Sequence, residues 1–432
     1  MNVYTTDKIR NVVLLGHGGC GKTSLVEAMA YLAGVTSRMG KVSDGNTISD
    51  YGKEEQKRQI SIATSVVPIE WEGVKINLLD TPGFFDFVGE VEEAAAVADA
   101  AIIVVSGKAG VEVVTEKAWE LCEKYKLPRF VFVTDMDIDN ASFRQVVEDM
   151  TEKYGKKMAP FHLPIREEEK FVGYINVITE QAYRWKDKEV VECEMPEYSK
   201  ANLQICRDAL LEAVAETSEE FMERYFNGDS FSEAEIRAAL RSNVMESSIV
   251  PMSMGSNVLC QGVFTLLDDI VKYVPSPENR EVAGINLKTN EIFAADFDFS
   301  KPKSAYIFKT IVDPFIGKYS MIKVNSGVFK SDDLIYNEDK DVEEKISKLY
   351  VLQGGKPIEI KELHAGDIGA IAKLTAARTG DTLSTKANVI RYGKTEISTP
   401  YTMMRYEAQH KADIDKISQS LLKMTHEAKT LK

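Results

Sequence analysis

The 432 residues carry 53 basic against 67 acidic side chains, a formal net charge of −14, with 44% hydrophobic and 28% charged residues. Such a length exceeds one compact core and calls for two or three globular units. The charge excludes loose electrostatic binding to DNA or to a membrane surface, so any RNA contact has to be specific in shape. Five scattered cysteines without a CxxC pair or zinc spacing fit a reducing compartment. The start "MNVYTTDKIRNVVLLG" lacks an apolar signal core and no run of eighteen apolar residues occurs, so a cytoplasmic chain is expected, neither secreted nor membrane-spanning.

Up to about residue 135, short apolar runs alternate with helical patterns, which reads as α/β with a mostly parallel, doubly wound sheet. "NVVLL" (11–15) is the first buried-strand candidate. Directly behind it "GHGGCGKTS" (16–24) opens the helix "SLVEAMAYLAG", the context that the phosphate-binding pattern GxxxxGK[ST] requires. Along Gly16, His17, Gly18, Gly19, Cys20 and Gly21 the backbone N–H groups can turn inward onto a β-phosphate at a helix N-terminus. Lys22 then reaches the β- and γ-phosphates, the Thr23 hydroxyl binds Mg²⁺, and Ser24 closes the pattern. His17 reads as loop geometry, not as a catalytic group. Cys20 reads as a small space-filler, the alternative being a helix-end thiol of lowered pKa.

The stretch "SDYGKEEQKRQISIA" (49–63) is polar and without strong periodicity, as a segment ordered only by ligand would be. Its Ser61 is the candidate second hydroxyl for Mg²⁺. The strand "KINLL" (75–79) runs into Asp80, where a carboxylate can hold a Mg²⁺-bound water. Gly83, in the turn "DTPG", offers its N–H to the γ-phosphate. Phe84 follows where a polar, water-orienting group is needed; it forms an apolar lid with Ile60 or else packs on the sheet. "AAIIVV" (100–105), the helix "VEVVTEKAWELCEKY" (111–125) and "RFVFV" (129–133) continue the alternation.

"TDMD" (134–137) lies at the carboxyl end of that last strand, where nucleotide bases bind. A carboxylate at Asp137 would accept both N1–H and N2–H of guanine, whereas adenine turns a lone pair towards it. From Tyr154 to about Met245, short strands such as "FVGYINVI" (171–178) and acidic helical patterns over 203–226 read as an insertion, before "SSIVPMS" resumes the buried-strand pattern. In "MGSNVLCQG" (254–262) a backbone N–H near Ser256 or Asn257 is the candidate contact to guanine O6.

"VPSPENREV" (274–282) reads as a linker. Alternating strands with Gly-Asp turns and no long helix then predict a compact β-barrel to about residue 395. In the tail, Ile414, Ile417, Leu421 and Met424 form one apolar helix face. It is expected to open a third domain that is cut short, the alternative being a helix folded back on the barrel. The expected division is therefore 1–280 for a P-loop nucleotide-binding domain with an insertion at about 154–245, 281–395 for the barrel, and 396–432 for the beginning of an α+β domain.

Taken together these residues resemble a translational GTPase, specifically elongation factor G and its paralogues, over essentially the whole chain. The phosphate loop, "SDYGKEEQKRQISI" and "DTPGFFDFVGEV" match the loop and two switch segments; "KTIVDPFIGKYSMIKVNSGVFKSDDLIYN" (309–337) and "HAGDIGAIAKLTAARTGDTLS" (364–384) match the second domain. The resemblance implies a GTP-hydrolysing translation factor with GTP/GDP and Mg²⁺ as cofactors, monomeric, with the ribosome, its rRNA and proteins, as partner. It implies phosphate positioning by Lys22, Thr23 and Gly83, metal binding by Thr23, Ser61 and Asp80 through water, and base contacts from Thr134, Asp135, Asp137, Ser256 and Asn257. The departures gather in the nucleotide site. Gly18 replaces an apolar gate residue and Gly19 an aspartate; Gln59 replaces a glycine and Ser61 a threonine. Thr134 and Asp135 replace asparagine and lysine, and Phe84 replaces the histidine that orients water. Several of these recur in a divergent group of bacterial elongation-factor-G-like proteins. Weaker guanine affinity and slow unstimulated hydrolysis are expected; the alternative is a GTP-dependent ribosome-binding switch with little or no hydrolysis.

Overall fold

A computed structural model describes residues 2–168, 170–186, 189–313, 316–399, 403–427 and 429–430. Strand β1 (Ile9–Leu15) passes through the phosphate loop into α1 (Lys22–Leu32), and a short helix α2 (Lys53–Arg58) precedes the hairpin of β2 (Ser65–Trp71) and β3 (Val74–Asp80). Then come α3 (Val88–Val97), β4 (Ala100–Ser106), α4 (Val113–Lys124), β5 (Arg129–Thr134), α5 (Phe143–Tyr154) and β6 (Met158–Pro160). The insertion contributes β7 (His162–Glu167), β8 (Lys170–Asn176), β9 (Gln181–Lys186), β10 (Glu189–Cys193), α6 (Lys200–Ala215), α7 (Glu219–Asn227) and α8 (Glu233–Met245). β11 (Val250–Met254) and α9 (Val263–Tyr273) complete the unit.

Seven strands form one sheet in the order β2-β3-β1-β4-β5-β11-β6. Every pairing in it is parallel except β2 with β3. The expected doubly wound α/β sheet is thus found, and its strands read as continuous apolar runs because helices bury both faces. Parallel pairing also sends Leu15, Asp80, Ser106, Thr134 and Met254 to one edge, which is where the candidate site residues follow. The helical run over 203–226 divides in two. The Thr217 hydroxyl bonds back to the Val214 carbonyl (2.6 Å), and the Ser218 hydroxyl caps α7 by accepting from the Phe221 N–H at 3.1 Å.

The linker reads differently once folded: Ser276 and Pro277 are buried, and the Arg280 guanidinium donates to the carbonyls of Ala98 and Tyr125. Beyond it the chain is β-rich. A three-stranded sheet joins β12 (Ala283–Asn286), β13 (Glu291–Ala294) and, from the far end of the unit, residues 390–391. The main sheet is built from β14 (Ser304–Asp313), β15 (Gly317–Ser326), β17 (Leu334–Asn337), β18 (Val342–Lys345), β19 (Leu349–Gln353), β20 (Lys356–Ile360), β22 (Ile368–Ala372) and β23 (Thr382–Ser384), while β16 (Val328–Lys330) pairs with β21 (Glu362–His364). All of its pairings are antiparallel around a separate core of residues such as Ile307, Ile322, Phe329 and Leu383. The last helix, α10 (Ile414–Glu427), ends against β14, with the Glu427 carboxylate accepting from the Val312 N–H at 2.8 Å. Its Ile414 and Met424 stay about half exposed.

Buried polar contacts join the two units. Lys75 places Nζ 2.8 and 2.7 Å from the Asp367 oxygens, and Asn77 donates to the same carboxylate at 3.0 Å. Asn11 donates to Asp99 and to the Gly366 carbonyl, and Lys323 pairs with Asp99 from the other side. No helix among the described residues is long and apolar enough to cross a membrane.

Candidate nucleotide site

The phosphate loop turns sharply between β1 and α1. Gly16, Gly19 and Gly21 have φ of +147°, +85° and +93°. A Cβ at Gly16 would lie 2.4 Å from the Val104 carbonyl oxygen, so only glycine lets the loop pass β4 there. Lys22 is buried and folds back over the loop, with Nζ 2.8 Å from the Gly16 carbonyl and 2.9 Å from that of His17. The Cys20 N–H also bonds the His17 carbonyl at 3.3 Å, so His17 acts through its backbone, while its ring lies 3.4 Å from Glu112. Burial raises the Cys20 thiol pKa although Lys22 pulls it down, which agrees with a space-filling role.

Thr23 and Ser61, 38 residues apart, meet with their hydroxyl oxygens 3.0 Å apart. Asp80 is 1% exposed, and neither carboxylate oxygen has a hydrogen-bond partner among the described residues. Burial pushes its carboxyl up to about 6, against the pull of the Lys22 charge. Asp50, which was not singled out from sequence, joins this group. Burial first and the Asp80 charge second push it up to about 7. No three His, Cys, Asp or Glu side chains cluster as a ligand set among the described residues. A donor set of two touching hydroxyls and partnerless buried carboxylate oxygens instead fits a hard, oxygen-binding cation such as Mg²⁺. A cavity of about 210 Å³ adjoins these groups, lined by Gly18, Gly19, Lys22, Thr23, Ser24 and, from the other side, Asp50, Ile60, Ser61, Gly83 and Phe84.

The segment expected to be ordered by ligand alone has contacts of its own. Glu27 accepts the N–H groups of Gly40 and Ile48, both at 2.7 Å. Glu55, on α2, accepts those of Gly52, Ile62 and Ala63 at 2.9 to 3.1 Å, and Glu90 accepts that of Thr64 at 2.7 Å. Carboxylates bonded to backbone N–H groups are strong acceptors, and together they fix both ends of the loop that carries Asp50 and Ser61.

At the base end, Thr134 and Asn257 both reach the phosphate loop. The Thr134 hydroxyl donates to the Cys20 carbonyl (2.8 Å), and the Asn257 amide to the Gly21 carbonyl (3.0 Å). Asp135, at φ +63°, accepts from the Ser106 hydroxyl at 2.5 Å, and Asp137 is exposed. The Ser256 N–H is taken by the Gln261 carbonyl at 2.9 Å, so of the two candidates for a contact to guanine O6 the Asn257 N–H is the one left.

Comparison with known proteins agrees with this geometry. Residues 7–276 match the elongation factor Tu GTP binding domain, and residues 302–386 match elongation factor G domain 2. The chain is 35% identical over 440 aligned positions to the elongation factor G of Chlamydia trachomatis serovar D, and equally to that of serovar A. These alignments cover 99% of the chain but 63% of each relative, so it spans less than two thirds of their length. The crystal structure of ttk003000868 from Thermus thermophilus superposes with a TM-score of 0.87 at 31% identity, covering 99% of this chain and 62% of that one.

Proposed function

The chain belongs to the translational GTPases of elongation factor G type, and from that premise we propose that it binds GTP and hydrolyses it to GDP and phosphate as a cytoplasmic factor acting at the ribosome. The observation that carries the reading is the meeting of Thr23 and Ser61 near the Asp80 carboxylate, which has no hydrogen-bond partner among the described residues, beside the buried Lys22 at the carboxyl edge of the sheet. Residues 1–280 form the nucleotide-binding domain of this reading, 281–395 its second domain, and 396–432 the beginning of a third.

In this reading Lys22 leaves the Gly16 and His17 carbonyls for the β- and γ-phosphates, and the loop N–H groups from Gly16 to Gly21 close around the β-phosphate. Thr23 and Ser61 would hold Mg²⁺ directly and Asp80 through water, and the ion would supply neutralisation of charge that develops on the phosphates. The Gly83 N–H faces the γ-phosphate. Thr134 and Asn257 hold the end of the phosphate loop towards the base, Asp137 accepts from guanine N1–H and N2–H, and the Asn257 N–H donates to O6. Asp135 brings negative charge near the base, which weakens affinity. Phe84 has no polar atom to orient the attacking water, so hydrolysis is slow until the ribosome supplies or positions such a group.

The test is binding of a fluorescent GTP analogue against an ATP analogue with and without Mg²⁺, together with phosphate release with and without ribosomes. Mg²⁺-dependent GTP binding, lost in Asp137→Ala, and ribosome-stimulated release are expected. Equal affinity for the two analogues would sink the guanine reading, and GTP binding without any stimulated release would sink the enzymatic one.

A further inference from the structure

Asp137 is exposed, so the direction of its carboxylate depends on the loop that carries it, residues 135–141. Its own domain fastens that loop near either end. The Met136 N–H donates to the Gly255 carbonyl at 3.2 Å, and the Ser142 N–H to that of Gly107 at 2.8 Å. In between, the Ile138 and Ala141 N–H groups donate to the Asp135 and Ile138 carbonyls at 3.0 and 3.3 Å. Two carbonyls on either side of Asp137 meet a side chain from the insertion instead. Arg166 Nη2 donates to the Ala141 carbonyl at 2.8 Å and to the Met136 carbonyl at 3.3 Å, across 25 and 30 residues of chain. The guanidinium keeps its charge at every pH at which the protein is folded, and the bonds it donates are of the stronger, charge-assisted kind. Its charge also offsets that of Asp135, Asp137 and Asp139, all on this loop. Arg166 is itself held in place. The β7–β8 ladder shifts register between Ile165 and Arg166, an irregularity of the kind that re-aims a side chain. There the Tyr198 hydroxyl accepts from the Arg166 N–H at 3.1 Å and donates to the Arg166 carbonyl at 2.9 Å.

We propose that Arg166 positions Asp137 and thereby sets selectivity for guanine, so that the insertion takes part in reading the base. With the Met136 and Ala141 carbonyls held together, the Asp137 carboxylate meets N1–H and N2–H of guanine at once; with them released, the two contacts are no longer aligned. Arg166 is a positioning residue, acting through Asp137. The proposal rests on the pocket being a GTP site whose base Asp137 reads.

The test compares the full chain with its Arg166→Met variant in two readouts. The first is calorimetric titration with Mg²⁺-GTP and with Mg²⁺-ITP, the inosine analogue that keeps N1–H and O6 but lacks the 2-amino group. One hydrogen bond to a carboxylate separates the two ligands, so the wild type is expected to prefer GTP by about tenfold or more. In Arg166→Met the GTP dissociation constant should rise about tenfold and the preference should narrow to about threefold or less, because the lost alignment costs GTP more than ITP. A merely structural role would weaken both ligands alike, and a preference that stays as wide as in the wild type overturns the proposal. The second readout is amide hydrogen exchange of residues 136–142 in the nucleotide-free proteins, which senses the contact whether or not GTP binds. Exchange is expected to quicken in Arg166→Met, and exchange at the wild-type rate overturns the proposal. Quickened exchange in a chain whose wild type shows no preference for GTP overturns it too, and assigns the failure to the guanine reading, not to the contact from the insertion.

Discussion

Protonation of Asp80 stabilises the nucleotide-free chain, and binding of Mg²⁺ with GTP reverses that sign. The carboxyl is 1% exposed, without a hydrogen-bond partner among the described residues, and pushed up to about 6 by burial. An unfolded aspartate titrates near 3.9, so across that window the native state binds more protons than the unfolded one, and stability falls as pH rises. The penalty is absent below the lower value and complete above the upper one, where it reaches roughly 3 kcal/mol at 1.36 kcal/mol per pH unit. Asp80→Asn keeps the shape and loses the titration, while its buried amide costs about 1–3 kcal/mol at every pH. In urea unfolding without metal, the stability of wild type minus variant is expected to drop by roughly 1.5 kcal/mol between pH 5 and 7.5. Asp50 adds to the drop in the same direction, because the Asp80 charge helps to push it up to about 7 and that push is gone in the variant. With Mg²⁺ and GTP present the bound state requires the carboxylate, and the wild-type advantage should instead grow with pH. A flat difference without metal, or one that rises with pH, would refute the account of Asp80 as a desolvated carboxylate waiting for a cation.

Phe84→His is expected to raise ribosome-stimulated phosphate release by about tenfold or more, and an unchanged rate counts against a missing water-orienting group. Gly354, at φ +56° in the turn between β19 and β20, would place a Cβ 2.0 Å from the Ile48 carbonyl oxygen, next to the loop that carries Asp50. Gly354→Ala therefore costs about 1–2 kcal/mol in the left-handed region plus the displacement of that loop, and should weaken Mg²⁺-GTP binding and speed proteolysis between residues 48 and 60. Lys75→Met strands the buried Asp367 carboxylate and is expected to cost about 3–5 kcal/mol in urea unfolding, most of it recovered when Asp367→Leu is added. Equal instability of the single and double variants would show that Lys75 acts through packing alone.

Local signals were legible in the sequence and tertiary ones were not. The phosphate loop is read from nine consecutive residues because its glycines answer to backbone conformation, and β1, β4 and β5 are read because burial on both faces leaves an unbroken apolar run. Glu27, Glu55 and Glu90 left no comparable mark. Their partners are backbone N–H groups up to 26 positions away, and any polar segment offers such groups without a pattern. Asp50 was hidden for the same reason: its role depends on Asp80 and Ser61 being folded next to it. Lys75, Asn77 and Asn11 looked like tolerated polar interruptions of buried strands. They are required there because Asp367 and Gly366 come from the second unit, about 290 residues or more further on.

The departures from the family pattern at the nucleotide site also read differently as a set than one at a time. Gly18 lacks a side chain and the Phe84 ring covers it. Thr134 and Asn257 hold the neighbouring carbonyls of Cys20 and Gly21, so the link from the base end to the phosphate loop is kept by two short side chains. Asp135 is met by Ser106. Random loss of a binding site would leave such groups stranded, at about 1–3 kcal/mol for each buried one. Here the Thr134 hydroxyl, the Asn257 amide nitrogen and the Asp135 carboxylate have protein partners, while among the described residues the Asp80 carboxylate oxygens, like His17 Nδ1, Ser49 Oγ and Asn257 Oδ1, have none. The Asp80 oxygens are the acidic ones among these, and a cation bound there would remove the cost of their burial, as the proposed Mg²⁺ role requires.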